Sequence, residues 1–303
     1  MAGADAYLRN ITSSLRVYLA EFSIRPDLHA VIQPRVGNDG ELFTVAAILN
    51  MELLKGEVMA HLIRAEEDSC HVLVFPELCI PPDFLVEIKE WLDAKELKNL
   101  KLVIAGSFHE LDGGEGDGVF VNRCHVLLAN GSELTELQQD KLLHLSLPST
   151  ASLNEDIRCA LNVSLVSSSI GCCSVAICLD LAQSLTPAIA YERLPIVWLW
   201  VPSMSKKTEA HLDHAKKLFL AQGTRSLCSN QSGISVNGTS ALRPENEAAI
   251  HTSFAYYSTK SVINRSIGNS SSAEKSYEDP FKESLSTSYR IYDAPLPERS
   301  KQS

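Results

Sequence analysis

The sequence has no apolar run near the ~20 residues that would cross a bilayer. The longest, LPIVWLWV at 194–201, has the length of one buried strand. Positive charge is not in excess either: 27 Lys and Arg stand against 37 Asp and Glu, a net charge of −10 at pH 7. That balance lacks the electrostatic footprint of a nucleic-acid binder. None of the eight cysteines forms a Cys-x-x-Cys pair, which removes the usual zinc pattern, so no metal is expected. The opening MAGADAYLRN has no basic segment followed by an apolar block, so no signal peptide is expected. The expectation is a cytoplasmic chain whose thiols are reduced and mostly packed as small hydrophobes.

Core material is plentiful, with 45% of residues hydrophobic and 21% charged, which argues against wholesale disorder. Strand and helix patterns alternate along the chain. Residues 15–24 read as a strand, 25–42 as a Pro- and Gly-bearing loop, and 44–67 as a helix with apolar residues at Leu49, Leu53, Val58 and Leu62. HVLVF (71–75) reads as a strand buried on both faces, 83–98 as a helix and 100–106 as another buried strand. Residues 119–131 read as a strand running into an Asn130-Gly131 hairpin with a partner at 133–140. Strands at 163–168, 172–178, 196–202, 226–236 and 248–257 and helices at 185–193 and 206–226 complete a mixed sheet system covered by helices. From Ser258 the chain is Ser-rich and weakly periodic, so 258–303 is read as a partly flexible C-terminal arm on a 1–257 domain.

In open α/β sheets chemistry gathers where strands stop. Glu77 follows HVLVFP, Lys141 follows the 133–140 strand, and Cys178 follows CCSVAI. Taken singly each has a bland reading: a solvated or capping carboxylate, a surface charge, an inert thiol. Together they supply a nucleophile, a base for its proton and a cation for a developing oxyanion, without a histidine.

VFPEL (74–78), the lysine of QQDKLLHL (138–145) and AICLDL (176–181) resemble, in order and rough spacing, the three catalytic blocks of the nitrilase superfamily of carbon–nitrogen hydrolases. IAGSFHE (104–110), VNRCHVLLANG (121–131), IVWLWVPSMS (196–205), HLDHAKKLFLAQGTRSLCSNQSG (211–233) and GTSALRPENEAAI (238–250) are similar to flanking segments of that family, so the resemblance spans about 15–257. It implies an α/β fold, an αββα sandwich with mixed β-sheets. It implies Cys178 as nucleophile, Glu77 as general base and Lys141 as oxyanion stabiliser, helped by the backbone N–H of Leu179. Glu155 matches a second glutamate that orients the lysine, with Asp156 its neighbouring rival. Asp180 matches a frequent family acid, although a helix N-cap explains it equally well. No cofactor is implied. The partners implied are a small amide or carbamoyl substrate and water, within a homodimer or larger homo-oligomer.

The chain departs from the family pattern at Leu143, where a histidine is usual (His144 lies one further), at Leu179 where an aromatic is common, and at Ser184-Leu185 where Pro-Glu is frequent. His109 and His125 have two readings, lining a cleft or packed and hydrogen-bonded in or beside a strand, and the second is preferred. Trp198 and Trp200 are expected on opposite sides of their strand. His211 and His214 are expected to bind metal only if a third ligand exists. The leading expectation is a thiol hydrolase of non-peptide C–N bonds, amide or carbamoyl before nitrile. The alternative is a catalytically vestigial nitrilase-fold interaction or sensor module.

Overall fold

Alternate residues of the buried strands enter different cores, and this sets the layers. Within the strand Ser14–Glu21, Val17 and Leu19 join Val72, Val74, Leu102 and Ile104 in one core, while Tyr18 and Ala20 join Leu73, Phe75 and Val103 in another. Within the strand Trp198–Ser203, Trp198 and Trp200 enter the first of these cores, and Leu199 and Val201 a third. The shared core therefore lies between two sheets. Outside one sheet pack the helices Met51–Glu67 and Pro82–Asp93, through Leu54, Val58, Leu62, Phe84, Ile88 and Leu92. Outside the other pack Leu179–Ala182, Thr186–Arg193 and Glu209–Gln222, through Leu181, Tyr191, Ala215 and Leu218. The result is the expected αββα sandwich.

The computed structural model describes residues 2–11, 13–34, 40–113, 118–147, 153–182, 186–205, 208–231, 234–236, 239–242, 253–256 and 288–296. The first sheet runs, edge to edge, Ser288–Pro295, Ser14–Glu21, Val72–Val74, Leu102–Ile104, Val126–Leu128. The second runs Val166–Ser168, Gly171–Val175, Trp198–Ser203, Arg225–Asn230, Phe254–Tyr256. Both are parallel at the centre and antiparallel at the edges, so both are mixed. No helix among the described residues is long and apolar enough to cross a membrane.

The structure differs from the sequence expectation at 25–67. The expected loop holds the strand Asp27–Pro34, and the first part of the expected helix is the strand Glu41–Ile48, its antiparallel partner. Proline is tolerated because Pro26 precedes that strand and Pro34 ends it. Phe43, Thr44 and Val45 are strand formers; Leu49 is exposed in the turn that follows, and the helix then buries Leu54, Val58 and Leu62 but exposes Leu53. These two strands join Ser146–Leu147, Leu153–Glu155, Ile234–Val236 and Thr239–Leu242 in a six-stranded sheet. The expected hairpin partner at 133–140 is a single bridge at Glu133, a 3₁₀ turn at Thr135–Leu137 and the short strand Gln139–Asp140, which pairs with Val119–Cys124. Of the expected C-terminal arm at 258–303, residues 258–287 and 297–303 lie outside the described residues. Ser288–Pro295 pairs with Ser14–Glu21 over eight residue pairs.

Candidate active site

Glu77 stands just past the end of Val72–Val74, where Pro76 cannot donate to a ladder. Leu78 turns the chain at φ 55°, and its N–H donates to Ser107 O at 2.7 Å. Gly106 makes that approach possible: at φ 68° a Cβ there would lie 2.1 Å from Pro76 O. Lys141 follows Gln139–Asp140, donates its N–H to Asn122 O at 2.8 Å and accepts from Ala160 N at 2.9 Å. Cys178 follows Gly171–Val175 and donates its N–H to Pro202 O at 2.8 Å. It sits at φ 47°, a left-handed conformation unusual for cysteine, on a sharp strand-to-helix turn. Leu179 opens the helix, so its N–H has no partner within that helix.

The side chains of Glu77, Lys141 and Glu155 converge. Lys141 Nζ lies 2.7 Å from Glu77 Oε1 and 2.8 Å from Glu155 Oε2. Asn122 Nδ2 donates to Glu77 Oε1 at 3.0 Å and to Glu155 Oε1 at 2.9 Å. Leu145 N–H donates to Glu155 Oε2 at 2.7 Å, and His109 Nε2 lies 2.7 Å from Glu155 Oε1. Glu77, Lys141, Glu155 and Cys178 are only 1%, 0%, 4% and 2% exposed. Glu77 Oε2 is buried with no hydrogen-bond partner. Glu155, not Asp156, is the carboxylate on the lysine. Its place comes from the parallel pairing of Leu153–Glu155 with Glu41–Ile48, where Glu155 faces Phe43.

Burial dominates the electrostatics. It opposes the charge on Lys141, but Glu155 and Glu77 together outweigh it and hold the ammonium well above the ordinary lysine value. It likewise pushes Glu155 up, yet Lys141 and the bond to His109 overcome it and hold the carboxyl below its ordinary range. The Cys178 thiol is pushed up to about 12 by burial and by Glu77, against the pull of Lys141. Its S–H faces Met204 O at 3.7 Å. The lysine and the helix start therefore do not yield a resting thiolate, contrary to what their nearness to a thiol suggests.

Asp180 does something other than cap its helix. Its carboxylate accepts Leu142 N–H and Leu143 N–H, each at 3.0 Å, and Ile177 N–H at 3.2 Å, so it ties the loop after Lys141 to the turn that carries Cys178. Burial pushes its carboxyl up to about 7. Leu143, where the histidine was missing, gives its backbone to this tie, and His144 is exposed. His125, just past the strand Val119–Cys124, bonds Glu110 at 2.9 Å and also Glu133; that strand lies between Phe108–Asp112 and Gln139–Asp140 in a three-stranded sheet. Trp198 and Trp200 share a face and stack, centroids 5.9 Å apart and 3° from parallel, because residues two apart in a strand point the same way. His211 contacts Ser203 Oγ at 3.3 Å and His214 donates to Ala210 O at 3.1 Å. Among the described residues no group of three or more His, Cys, Asp or Glu could hold a metal. Sequence reasoning gave Asn122 no role and read His109 as a packed strand residue, yet the two face each other in register on neighbouring strands and both reach Glu155. A polar residue inside an apolar strand was the one available signal for both.

No family model matches the sequence, and no curated protein matches it. Solved structures do. An amidase variant from Nesterenkonia sp. AN1, with the acetamide moiety of fluoroacetamide covalently added at its active-site cysteine, superposes with TM-score 0.58 at 12% identity over 93% of this chain and 91% of its own. Another structure of an amidase from Nesterenkonia sp. gives 0.53 at 14% identity over the same shares. Saccharomyces cerevisiae Nit3, a member of branch 10 of the nitrilase superfamily, gives 0.51 at 12% identity over 81% of this chain and 83% of its own. At such identities the likeness is one of architecture, and this chain has the fold of the nitrilase superfamily.

Proposed function

We propose that this protein is a divergent nitrilase-superfamily thiol hydrolase that cleaves a non-peptide carbon–nitrogen bond, in an amide or carbamoyl group before a nitrile. One observation carries the reading. Glu77 has one oxygen held by Lys141 and Asn122 and the other buried without a partner, and after burial its charge is the strongest influence keeping Cys178 a thiol. With that thiol at about 12, only roughly one molecule in 10⁵ would hold a thiolate at neutral pH, so attack needs a base in place. Cys178 sulfur bonds to the substrate carbonyl carbon as its proton passes to Glu77 Oε2. The resulting oxyanion is met by Lys141 Nζ and Leu179 N–H. Collapse breaks the C–N bond, Glu77 returns the proton to the departing ammonia or amine, and a thioester remains on Cys178. Water then attacks the thioester, Glu77 takes its proton, and the acid leaves as the thiol re-forms. A positioned general base is worth ~10²–10⁴-fold and an oxyanion donor ~10²–10³-fold.

The same reading takes 1–257 as the hydrolase domain and 258–303 as its extension. It sets the work in the cytoplasm, where eight free cysteines stay reduced, and in a homodimer or larger assembly. The fold it shares with an amidase that carries an acetamide adduct on its cysteine supports the choice of amides. Ammonia release from a panel of small primary amides and carbamoyl compounds tests it: wild type should turn over at least one, and Cys178→Ala and Glu77→Gln should not. Equal release by wild type and Cys178→Ala would sink the reading. The alternative, a vestigial interaction or sensor module, draws on the near-complete burial of the thiol. It takes over if no compound is turned over and fluoroacetamide leaves Cys178 unmodified.

A further inference from the structure

Behind Lys141 stands a histidine that the thiol chemistry leaves without a role. His109 is buried in the strand Phe108–Asp112. Its Nδ1 accepts the backbone N–H of Val45 at 2.8 Å, so Nδ1 keeps its lone pair and the ring proton sits on Nε2. Nε2 in turn lies 2.7 Å from Glu155 Oε1. The backbone of Glu41–Ile48 thereby selects the tautomer that donates to the carboxylate.

We propose that His109 is a positioning residue of the active site: its Nε2–H, fixed by the Val45 amide at the opposite ring nitrogen, holds Glu155 in the orientation that sets Lys141 against Glu77. The proposal rests on the thiol-hydrolase reading and adds a residue to it. Each Glu155 oxygen receives two donors, Oε1 from His109 and Asn122, Oε2 from Lys141 and Leu145 N–H. Of the three N–H bonds of Lys141, two go to Glu77 and Glu155, and one is left for an oxyanion. Without His109 the carboxylate is free to tilt about its remaining donors, and the third N–H turns with it.

The test uses the intact protein and iodoacetamide, which forms a thioether at sulfur with loss of iodide while the thiol proton goes to Glu77. In wild type, Cys178 should saturate with reagent and react faster than the other seven cysteines. His109→Phe should lower the saturating rate about 10- to 100-fold with little change in half-saturating reagent. His109→Gln, which keeps an N–H at the Nε2 position, should recover most of it. In a Glu155→Gln background, His109→Phe should add little further loss. Ring ¹⁵N shifts, assigned by the peak lost in His109→Gln, should show His109 of the wild type protonated at Nε2 and bare at Nδ1. If wild-type Cys178 reacts no faster than its neighbours, the thiol-hydrolase reading falls. If it does react faster, but His109→Phe matches wild type or Nδ1 carries the proton, the role of His109 alone is overturned.

Discussion

Replacing Lys141 by Met keeps most of the side-chain volume and removes the charge. The ammonium lies 2.7 Å from Glu77 and 2.8 Å from Glu155 with all three side chains dry. Deleting one member of a buried pair typically costs about 3–5 kcal/mol, because the other is left uncompensated. Here two carboxylates are left, sharing Asn122 as donor, so the upper half of that range is expected. This is a large share of a usual stability of ~5–15 kcal/mol. The loss also has a direction in pH. In wild type, Glu155 lies below its ordinary value, so it contributes stability above its unfolded value of ~4.3 and loses it as pH falls through the folded one. Without Lys141, burial is the strongest remaining influence and raises the folded value above the unfolded one. The carboxyl's contribution is then full only in acid and is lost as pH rises. The gap between Lys141→Met and wild type should therefore widen from about pH 5 to about pH 8. Urea unfolding at several pH values measures it. A gap under about 1 kcal/mol at neutral pH, or one that does not change with pH, would refute the description of this cluster as a buried ionised network.

Two further substitutions probe the frame around the site. Gly106→Ala drives a Cβ against Pro76 O and requires a left-handed alanine. It should cost about 2–5 kcal/mol from overpacking and backbone conformation together, and reduce Cys178 reactivity through Glu77; a thermal midpoint unchanged from wild type would count against this account. A chain ended before Ser288 loses the edge strand on Ser14–Glu21 and takes Arg290 from Glu21, a buried carboxylate bonded to Arg290 Nε at 2.8 Å. It should bind a hydrophobic dye and associate through the exposed edge, and light scattering that shows the wild-type mass and no aggregation would contradict that.

Much of the site is legible in the sequence because strands buried on both faces read as unbroken apolar runs, so the polar residue that ends each run stands out. Glu77 and Cys178 are found this way. Lys141 follows a two-residue strand, and only its order relative to the other blocks distinguishes it. Glu155 comes from resemblance, since a parallel pairing with Phe43 leaves no local mark. The six-stranded sheet stays hidden because Leu49, Leu53, Val58 and Leu62 have helical spacing that hides strand formers at 43–45. Asn122 and His109 are set by strand register, a property of pairs of segments that no single segment displays. The Trp pair is a case where period two, applied correctly, gives the observed face without any structure.

The pairing of Ser14–Glu21 with Ser288–Pro295 bears on how the chain folds. The first strand described finishes its hydrogen bonding with the last, joining Ser14 to Pro295 at one end and Glu21 to Ser288 at the other. Contacts so far apart in sequence raise contact order and slow folding, and the closure entropy of the loop between them is offset only when both strands dock. Until then Ser14–Glu21 can lie on Val72–Val74 along one side with its other edge open. Synthesis of this protein thus passes through a long interval in which a strand of the central sandwich is half paired. A chaperone that shields sheet edges would shorten the effective risk of that interval more than one that only accelerates collapse.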